Sequence, residues 1–357
     1  MRPMRRPRQT LTDDDAWALF ERSTAVHLSM VHPEGWPMLK VVHGVVVDGA
    51  LAFHGSPLGE KAEVFAEAAP RAVAGVEEII AQIPSHFIHP ERACPATTWY
   101  RSAQMHGHLE AVEDEAQKAR ILQALMVRFQ AGGGHVPIDP ALADYDRLYR
   151  RAVASLSVVR LVPDRLTAKL ALGQKRPHLI PHIMGKLWRR GDVGDVEAIS
   201  TLMQAYPKAT PPEIFQGPEG ITLDPSVNAD LEDCLDLLRG QYWTANADDD
   251  ALRHSLRHSH VVGARTAEGN LVAIAAGVSE GVRHGWICNV VVHPNWRGRG
   301  IGSALMQLLL DHPALRHAQR VGLSTRDAEA VYLPLGFEIG QVEHRPTGPV
   351  KTLWRRQ

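Results

Sequence analysis

Residues 286–309 read WICNVVVHPNWRGRGIGSALMQLL, and no other stretch constrains the fold as tightly. WICNVVV is apolar enough to be a buried strand, HPNWRGRG is built for turning, and Ile301, Leu305, Leu308 and Leu309 recur on one helical face. A strand that feeds a helix through glycines belongs to a layered α/β unit. The spacing starts the helix near Gly300, so its first free N–H groups, on Ile301, Gly302 and Ser303, point back at the turn. Gly298, Gly300 and Gly302 let the backbone approach a ligand, while Arg297 and Arg299 add charge beside the positive end of the helix dipole. This is a phosphate cradle in outline. A bare Gly-x-Gly is more often an ordinary turn; strand, Arg-rich turn and helix in this order favour a ligand.

Two nucleotide motifs fail. A dinucleotide site needs its glycines directly after the strand and an acid about 20 residues on. Here HPNW intervenes, and Asp327 stands in a loop-like stretch. A P-loop needs Gly-Lys-Ser/Thr, which is absent.

The remainder of the 357 residues exceeds what one core serves, so two domains of roughly 150 residues are expected. Thr12 followed by three aspartates opens a helix over 12–22. AVHLSMV alternates, and MLKVVHGVVV and ALAFH flank Asp48-Gly49, a strong hairpin signal. RAVAGVEEII, TWYRSAQMHGHLEAV, SLSVVRLV and RLTAKLAL read as further strands, the last two separated by Pro163-Asp164. A helix marked by Ala119, Leu122, Met126 and Phe129 closes at Gly132-Gly133-Gly134. Many strands and few helices point to a small antiparallel barrel. Residues 181–219, broken by Pro181, Pro207, Pro211, Pro212 and Pro218, read as a helical, proline-rich connector. From Gly220, GITLDPS, a helix bearing Leu231, Leu235 and Leu238, and a hairpin across Ala267-Glu268-Gly269 give mixed α/β texture.

Lys+Arg 39 against Asp+Glu 40 leaves a net charge of −1, so no global field draws the chain to nucleic acid or membrane. The arm carrying Arg2, Arg5, Arg6 and Arg8 supports nucleic-acid binding by charge alone, and we set it aside. No apolar run spans a bilayer, the arm lacks the apolar stretch of a secretory signal, and three scattered cysteines (Cys94, Cys234, Cys288) suit a reducing compartment. The expectation is a cytoplasmic protein. His86, His89 and Cys94 have ligand chemistry, but prolines interrupt them and no second cluster converges, so no metal site is expected.

Arg297-x-x-Gly300-x-Gly302 resembles the pyrophosphate motif of the GNAT acetyltransferases, and STRDAEAVYLPLGFE (324–338) resembles that superfamily's later segment, with a tyrosine shortly before Gly-Phe. Tyr242-Trp243 and the terminal VKTLWRR fit the same likeness, which extends from about residue 221 to the end. The resemblance implies acetyl-CoA as cosubstrate and an amine acceptor. Backbone groups of Val290, Val291 and Val292 would hold the thioester and pantetheine arm, residues 297–303 the pyrophosphate, and Tyr332 would protonate the leaving sulfur. On the residues alone, Tyr332 could equally be a core aromatic. Many relatives carry an acid where this chain has Asn289, so the base is open among Glu280, His284, His293 and water.

FHGSPLGEK (53–61) puts His54, Ser56 and Lys61 around a turn that could hold a phosphate or be a plain polar loop. With RRPRQTLTDDDAWALF, the DG hairpin, PATTWYRSAQMHGHLE and KLALGQKR, it resembles the pyridoxamine 5′-phosphate oxidase-like FMN-binding split barrels. That likeness implies FMN phosphate near His54, Ser56 and Lys61, the flavin ring against Val41 and Val42, and contacts from Arg101, Ser102, Gln104, Gln174 and Arg176. It also implies a homodimer, and some relatives bind haem, for which His106 or His108 would be the axial ligand.

The sequence is therefore read as an antiparallel split β-barrel with flanking helices over 1–180, a connector over 181–219, and a GNAT α/β fold over 220–357, with a mixed, mostly antiparallel sheet covered by helices on both faces. Acetyl transfer to an amine beside a flavoprotein domain is the expected function; a flavin- or haem-sensing protein with little turnover is the alternative.

Overall fold

A computed structural model describes residues 10–130, 133–345 and 348–356; the basic arm and Gly132 lie outside the described residues. The chain divides into two compact units, one made of residues up to Ile79 with Thr98–Gln174, the other of Ile80–Thr97 with everything from Lys175 onward.

The first unit opens with β1 (Thr10–Leu11) and α1 (Asp13–Arg22), whose cap is the expected one: Thr12 accepts from the Asp15 N–H while the Asp15 carboxylate accepts from Thr12. There follow β2 (Val26–Val31), β3 (Pro37–Val42), β4 (Val45–Val47), β5 (Ala50–Gly55), α2 (Glu60–Phe65), β6 (Arg71–Ile83), β7 (Thr97–Ala111), α3 (Glu115–Phe129), α4 (Tyr145–Leu148), α5 (Arg150–Ser155) and β8 (Ser157–Ala171). Among the described residues these strands make one curled antiparallel sheet in the order β3-β2-β6-β7-β8-β5-β4, with β1 on β8. Asp48 (φ 48°) and Gly49 (φ 67°) turn the β4–β5 hairpin, as its strands' right-handed twist requires. Phe20, Leu28, Phe53, Met105 and Leu161 fill the core.

One expectation fails. Pro163-Asp164 does not divide the segment into separate strands: β8 runs through it, because the register with β7 slips there, His106 pairing with Arg165 and Gly107 with Pro163. A bulge is where a strand tolerates proline. Gly107 is obligatory in it, since a Cβ there would lie 1.9 Å from the Val162 carbonyl oxygen.

The second unit takes α6 (Ile180–Arg190), α7 (Asp195–Ala205), β9 (Ile221–Asp224), α8 (Leu231–Leu238), α9 (Asp249–Arg257), β10 (His260–Thr266), β11 (Leu271–Ser279), β12 (His284–Val292), α10 (Ile301–Leu310), β13 (Arg320–Thr325), α11 (Glu329–Tyr332), β14 (Glu338–Arg345) and β15 (Gly348–Arg356). Its sheet runs β14-β15-β13-β12-β11-β10-β9, antiparallel except for the β12–β13 pair. The segment expected as a helical, proline-rich connector holds α6 and α7: Arg190 clasps the buried Asp195 and donates to the Gln82 carbonyl (2.9 Å), which ties α6, α7 and residues 80–97 together inside this unit. Prolines 181 and 212 stand at first turns, where a missing N–H costs nothing. Among the described residues no helix is long and apolar enough to cross a membrane.

Candidate functional site

β12 pairs with β13 only from His284–Arg320 to Ile287–Leu323. On its other edge β12 stays with β11, but Cys288 to Val291 advances three residues while Ala276 to Ile274 advances two. The extra residue is a bulge, and Asn289 takes a φ of 51°, a conformation asparagine tolerates better than most side chains. A bulge adds twist and bends its strand. Beyond Cys288 the β13-facing edge of Val290, Val291 and Val292 therefore has no strand partner, which opens the sheet between two parallel strands. Val291 is buried; Val290 and Val292 are partly exposed.

The chain then makes a short 3-10 turn (Pro294–Trp296) and reaches α10 through Gly298 (φ 75°) and Gly300 (φ 79°). Both need glycine for their dihedrals. A Cβ would meet nothing at Gly298, and only ordinary contacts at 3.7 Å at Gly300 and Gly302, so the turn is an open concavity. No side chain caps α10, and its first backbone bond is Ala304 N–H to the Gly300 carbonyl, which leaves the N–H groups of Ile301, Gly302 and Ser303 free for an anion. Arg299 lies over the Trp296 ring (4.6 Å) and reaches the Asn295 carbonyl; Arg297 donates to the Val292 carbonyl (3.0 Å). Both guanidinium groups are exposed and border the free amides.

Tyr332 ends α11 and is 7% exposed, edge-on to Phe337 at 6.0 Å. Burial, with Tyr242 and Asp327 nearby, pushes its hydroxyl up to about 12, so it holds its proton through the neutral range. Of the candidate bases, Glu280 accepts from the N–H groups of Val282, Arg283 and His284 and thereby closes the β11–β12 turn. His284 begins β12, five residues from Asn289, which at the rise of a strand is about 16 Å away. His293 accepts from the Asn295 N–H. Glu280 and His284 are thus at the far end of β12 from the opening. A cavity of about 360 Å3 at that far end, lined by Arg283, His284, Gln319, Arg320 and Arg356, is distinct from it.

In the first unit β5 delivers His54 and Gly55 to a turn whose Gly59 (φ 95°) starts α2. The Lys61 ammonium comes within 3.3 Å of where a Gly55 Cβ would be, and it has no carboxylate partner among the described residues. Partial burial, then Lys61 and His43, lower the His54 pKa. His54, Gly55 and Lys61 are therefore together, whereas the Ser56 hydroxyl accepts from the Leu58 N–H and stabilises the turn itself. Val41 and Val42 face opposite ways: Val41 is 60% exposed and Val42 is 5% exposed in the core, so only Val41 can meet a ligand ring. On β7, Ser102 and Gln104 leave by one face and Arg101 by the other, where it reaches Glu78 (3.5 Å). Gln174 commits its amide to the Leu170 carbonyl and the Leu172 N–H, and Arg176 is an exposed residue of the second unit. His108 meets Glu110 (3.1 Å) and Asp164; His106 keeps its Nε2 buried without a partner among the described residues.

One contact escaped the sequence reading. Arg326 directly follows β13 and lies over the Tyr242 ring at 3.8 Å, a contact across 84 positions that no local pattern signals.

Residues 12–170 match the family model described as pyridoxamine 5′-phosphate oxidase, and residues 227–337 the one described as acetyltransferase (GNAT) family. No curated protein matches the sequence. Similar solved structures include the FAD and heme binding protein from Mycobacterium smegmatis (21% identity, 46% of this chain and 74% of that one, TM-score 0.37). The flavocytochrome Anf3 from Azotobacter vinelandii is 17% identical over 47% of this chain and 72% of its own (TM-score 0.36). A GCN5-related N-acetyltransferase from Kribbella flavida is 20% identical over 40% of this chain and all (100%) of its own (TM-score 0.35). Residues 12–170 thus belong to the pyridoxamine 5′-phosphate oxidase family and residues 227–337 to the GNAT acetyltransferase family.

Proposed function

We propose that the second unit transfers the acetyl group of acetyl-CoA to a small-molecule amine. The observation that carries this is the open edge of Val290–Val292 leading directly into the uncapped N-terminus of α10. Free amides of Ile301, Gly302 and Ser303, with Arg297 and Arg299 beside them, suit a pyrophosphate; the unpaired strand edge suits the amides of a pantetheine arm and the thioester carbonyl. Tyr332, which keeps its proton, is the donor for the departing thiolate. With Glu280 and His284 at the far end of β12 and His293 accepting from the Asn295 N–H, the amine loses its proton to water. Thiol release from acetyl-CoA with a panel of amines tests the reaction, and calorimetry with CoA tests the site by itself.

The first unit, in this reading, binds FMN. Lys61 and His54 flank the phosphate, Gly55 and Gly59 leave it room, and the ring rests against Val41. Bound flavin would supply electron transfer; the chain supplies the anion partner and the apolar face. Val31, Leu39 and Val41 share one exposed face of the β2–β3 ladder beside Trp36, an apolar patch that fits a homodimer through this unit. Three free cysteines, Cys94 exposed, fit a cytoplasmic protein. Mass spectrometry of whatever chromophore the purified protein carries separates FMN from FAD. One observation favours a second reading, in which the unit senses haem or flavin without turnover: the buried, unpartnered Nε2 of His106. A Soret band lost in His106→Ala would establish it.

A further inference from the structure

Arg326 is a half-buried guanidinium without a carboxylate partner among the described residues. It is held against the Tyr242 ring at 3.8 Å, and its Nε is buried with no hydrogen-bond partner among the described residues. An arginine so placed forgoes hydration on one side and gains only a stacking contact, an arrangement that becomes favourable once an anion completes it. Its position is informative. Arg326 lies three residues past the last β12–β13 pair, Ile287–Leu323, at the end of β13 where the two parallel strands part. Tyr242, on which it rests, and Asp327, the next residue along, are the two groups near the buried Tyr332 hydroxyl. Beside it the Trp243 ring packs edge-on at 4.9 Å, 41% exposed, and a cavity of about 310 Å3 lies along Gly240–Thr244 and Leu252. A second unfilled group occupies the same segment: Glu329 uses one oxygen on Lys351, and its Oε2 is buried without a partner among the described residues. The arginine of the cavity wall is spoken for, Arg239 by Asp249, as is Arg253 of α9 by Glu232. Arg326, held on Tyr242, has no carboxylate partner among the described residues.

We propose that Arg326, stacked on Tyr242, binds a carboxylate of the acceptor, so that the amine acetylated by this protein is an amino acid or an amine built like one. The reading rests on acetyl transfer in this unit. The planar guanidinium offers a fork that matches a carboxylate, and the clamp against Tyr242 fixes its plane in advance. Holding the carboxylate there leaves the amine end of the same molecule free to face the thioester in the opening between β12 and β13, while the exposed Tyr242–Trp243 pair offers the remainder an apolar surface.

The test uses the full chain loaded with CoA and three probes that share one skeleton: L-phenylalanine, L-phenylalaninamide and 2-phenylethylamine, with L-leucine and isoamylamine as a second set. By calorimetry the amino acid binds more tightly than its amide or decarboxylated analogue, and Arg326→Gln weakens the amino acid by about 10- to 100-fold while leaving the analogues within about 2-fold. Arg326→Lys recovers some of the difference. In turnover the same substitution raises KM for the amino acid and spares KM for acetyl-CoA. Equal weakening of all three probes by Arg326→Gln, or no preference for the carboxylate in the parent protein, overturns the proposal. So does a fall in CoA affinity of the same size, which would make Arg326 a member of the CoA site. Arg326-dependent binding of the amino acid without any thiol release would leave the clamp standing and remove the transfer reaction instead.

Discussion

The two candidate anion sites of this chain look alike in sequence and differ in construction. Each follows a strand, turns on glycine and enters a helix. In the second unit the anion partner is backbone: Gly298 and Gly300 hold positive φ, ten residues of α10 align their dipoles, and three amides are unclaimed. In the first unit α2 has six residues, and the available charge is one side chain, Lys61, seated over Gly55. A site made of backbone is broken by adding atoms, and a site made of a side chain by removing them.

The largest effect should come from adding atoms to the first kind. Gly300→Asp places a carboxylate against the free amides and should weaken CoA by at least about 3 kcal/mol, more than 10²-fold, with flavin content unchanged. Calorimetry that finds the parent affinity removes the cradle. Next, Tyr332→Phe keeps the buried ring and deletes the proton; turnover should fall about 10²-fold, about 2.7 kcal/mol, with acetyl-CoA binding spared. A fully active variant returns Tyr332 to the core.

The units should also differ in acid. His312, buried against Trp188 and facing His260 and Arg316, is held down from 6.5 to about 3 by burial first and those cations second. Its folded pKa lies below the unfolded one, so the unfolded chain binds the proton first, and stability falls as pH drops from about 6.5 towards about 3. At pH 4.5 the loss is about 2 to 3 kcal/mol. Chemical denaturation should show that loss in the parent and much less of it in His312→Gln; an equal slope in both assigns the acid sensitivity elsewhere.

For the side-chain site, Lys61→Ala should cost flavin about 2 kcal/mol, the worth of one charge-assisted bond, and leave CoA untouched. Protein that keeps full flavin occupancy at micromolar concentration after dialysis would contradict it. Smallest is Ser56→Ala. Because Ser56 serves the Leu58 N–H, its loss should weaken flavin by less than about 0.5 kcal/mol. A larger drop in measured flavin affinity would mean that the hydroxyl turns from the loop to the phosphate.

What could be read from the sequence is what short-range chemistry decides. Thr12 caps α1, Asp48-Gly49 turns a hairpin and the Arg-Gly stretch starts α10, because each depends on residues within about one turn of one another. The reading failed where a partner strand had the deciding vote. Pro163 looks like a break until β8 bulges at Asp164 opposite Gly107 of β7, and Val41-Val42 looks like one surface until the pleat sends Val42 inward.

The same division runs through the catalytic unit. Sequence alone determined that a glycine turn with two arginines precedes an apolar helix, since dihedral freedom and helical period are properties of neighbouring residues. Only the tertiary structure decided that β12 leaves β13 after Ile287, that Tyr332 is buried, and that Arg326 lies on Tyr242 without a carboxylate among the described residues. Those facts are set by register and by contacts between segments as much as 84 residues apart (Tyr242 to Arg326), and which of many possible partners a side chain meets is fixed by packing the whole sheet.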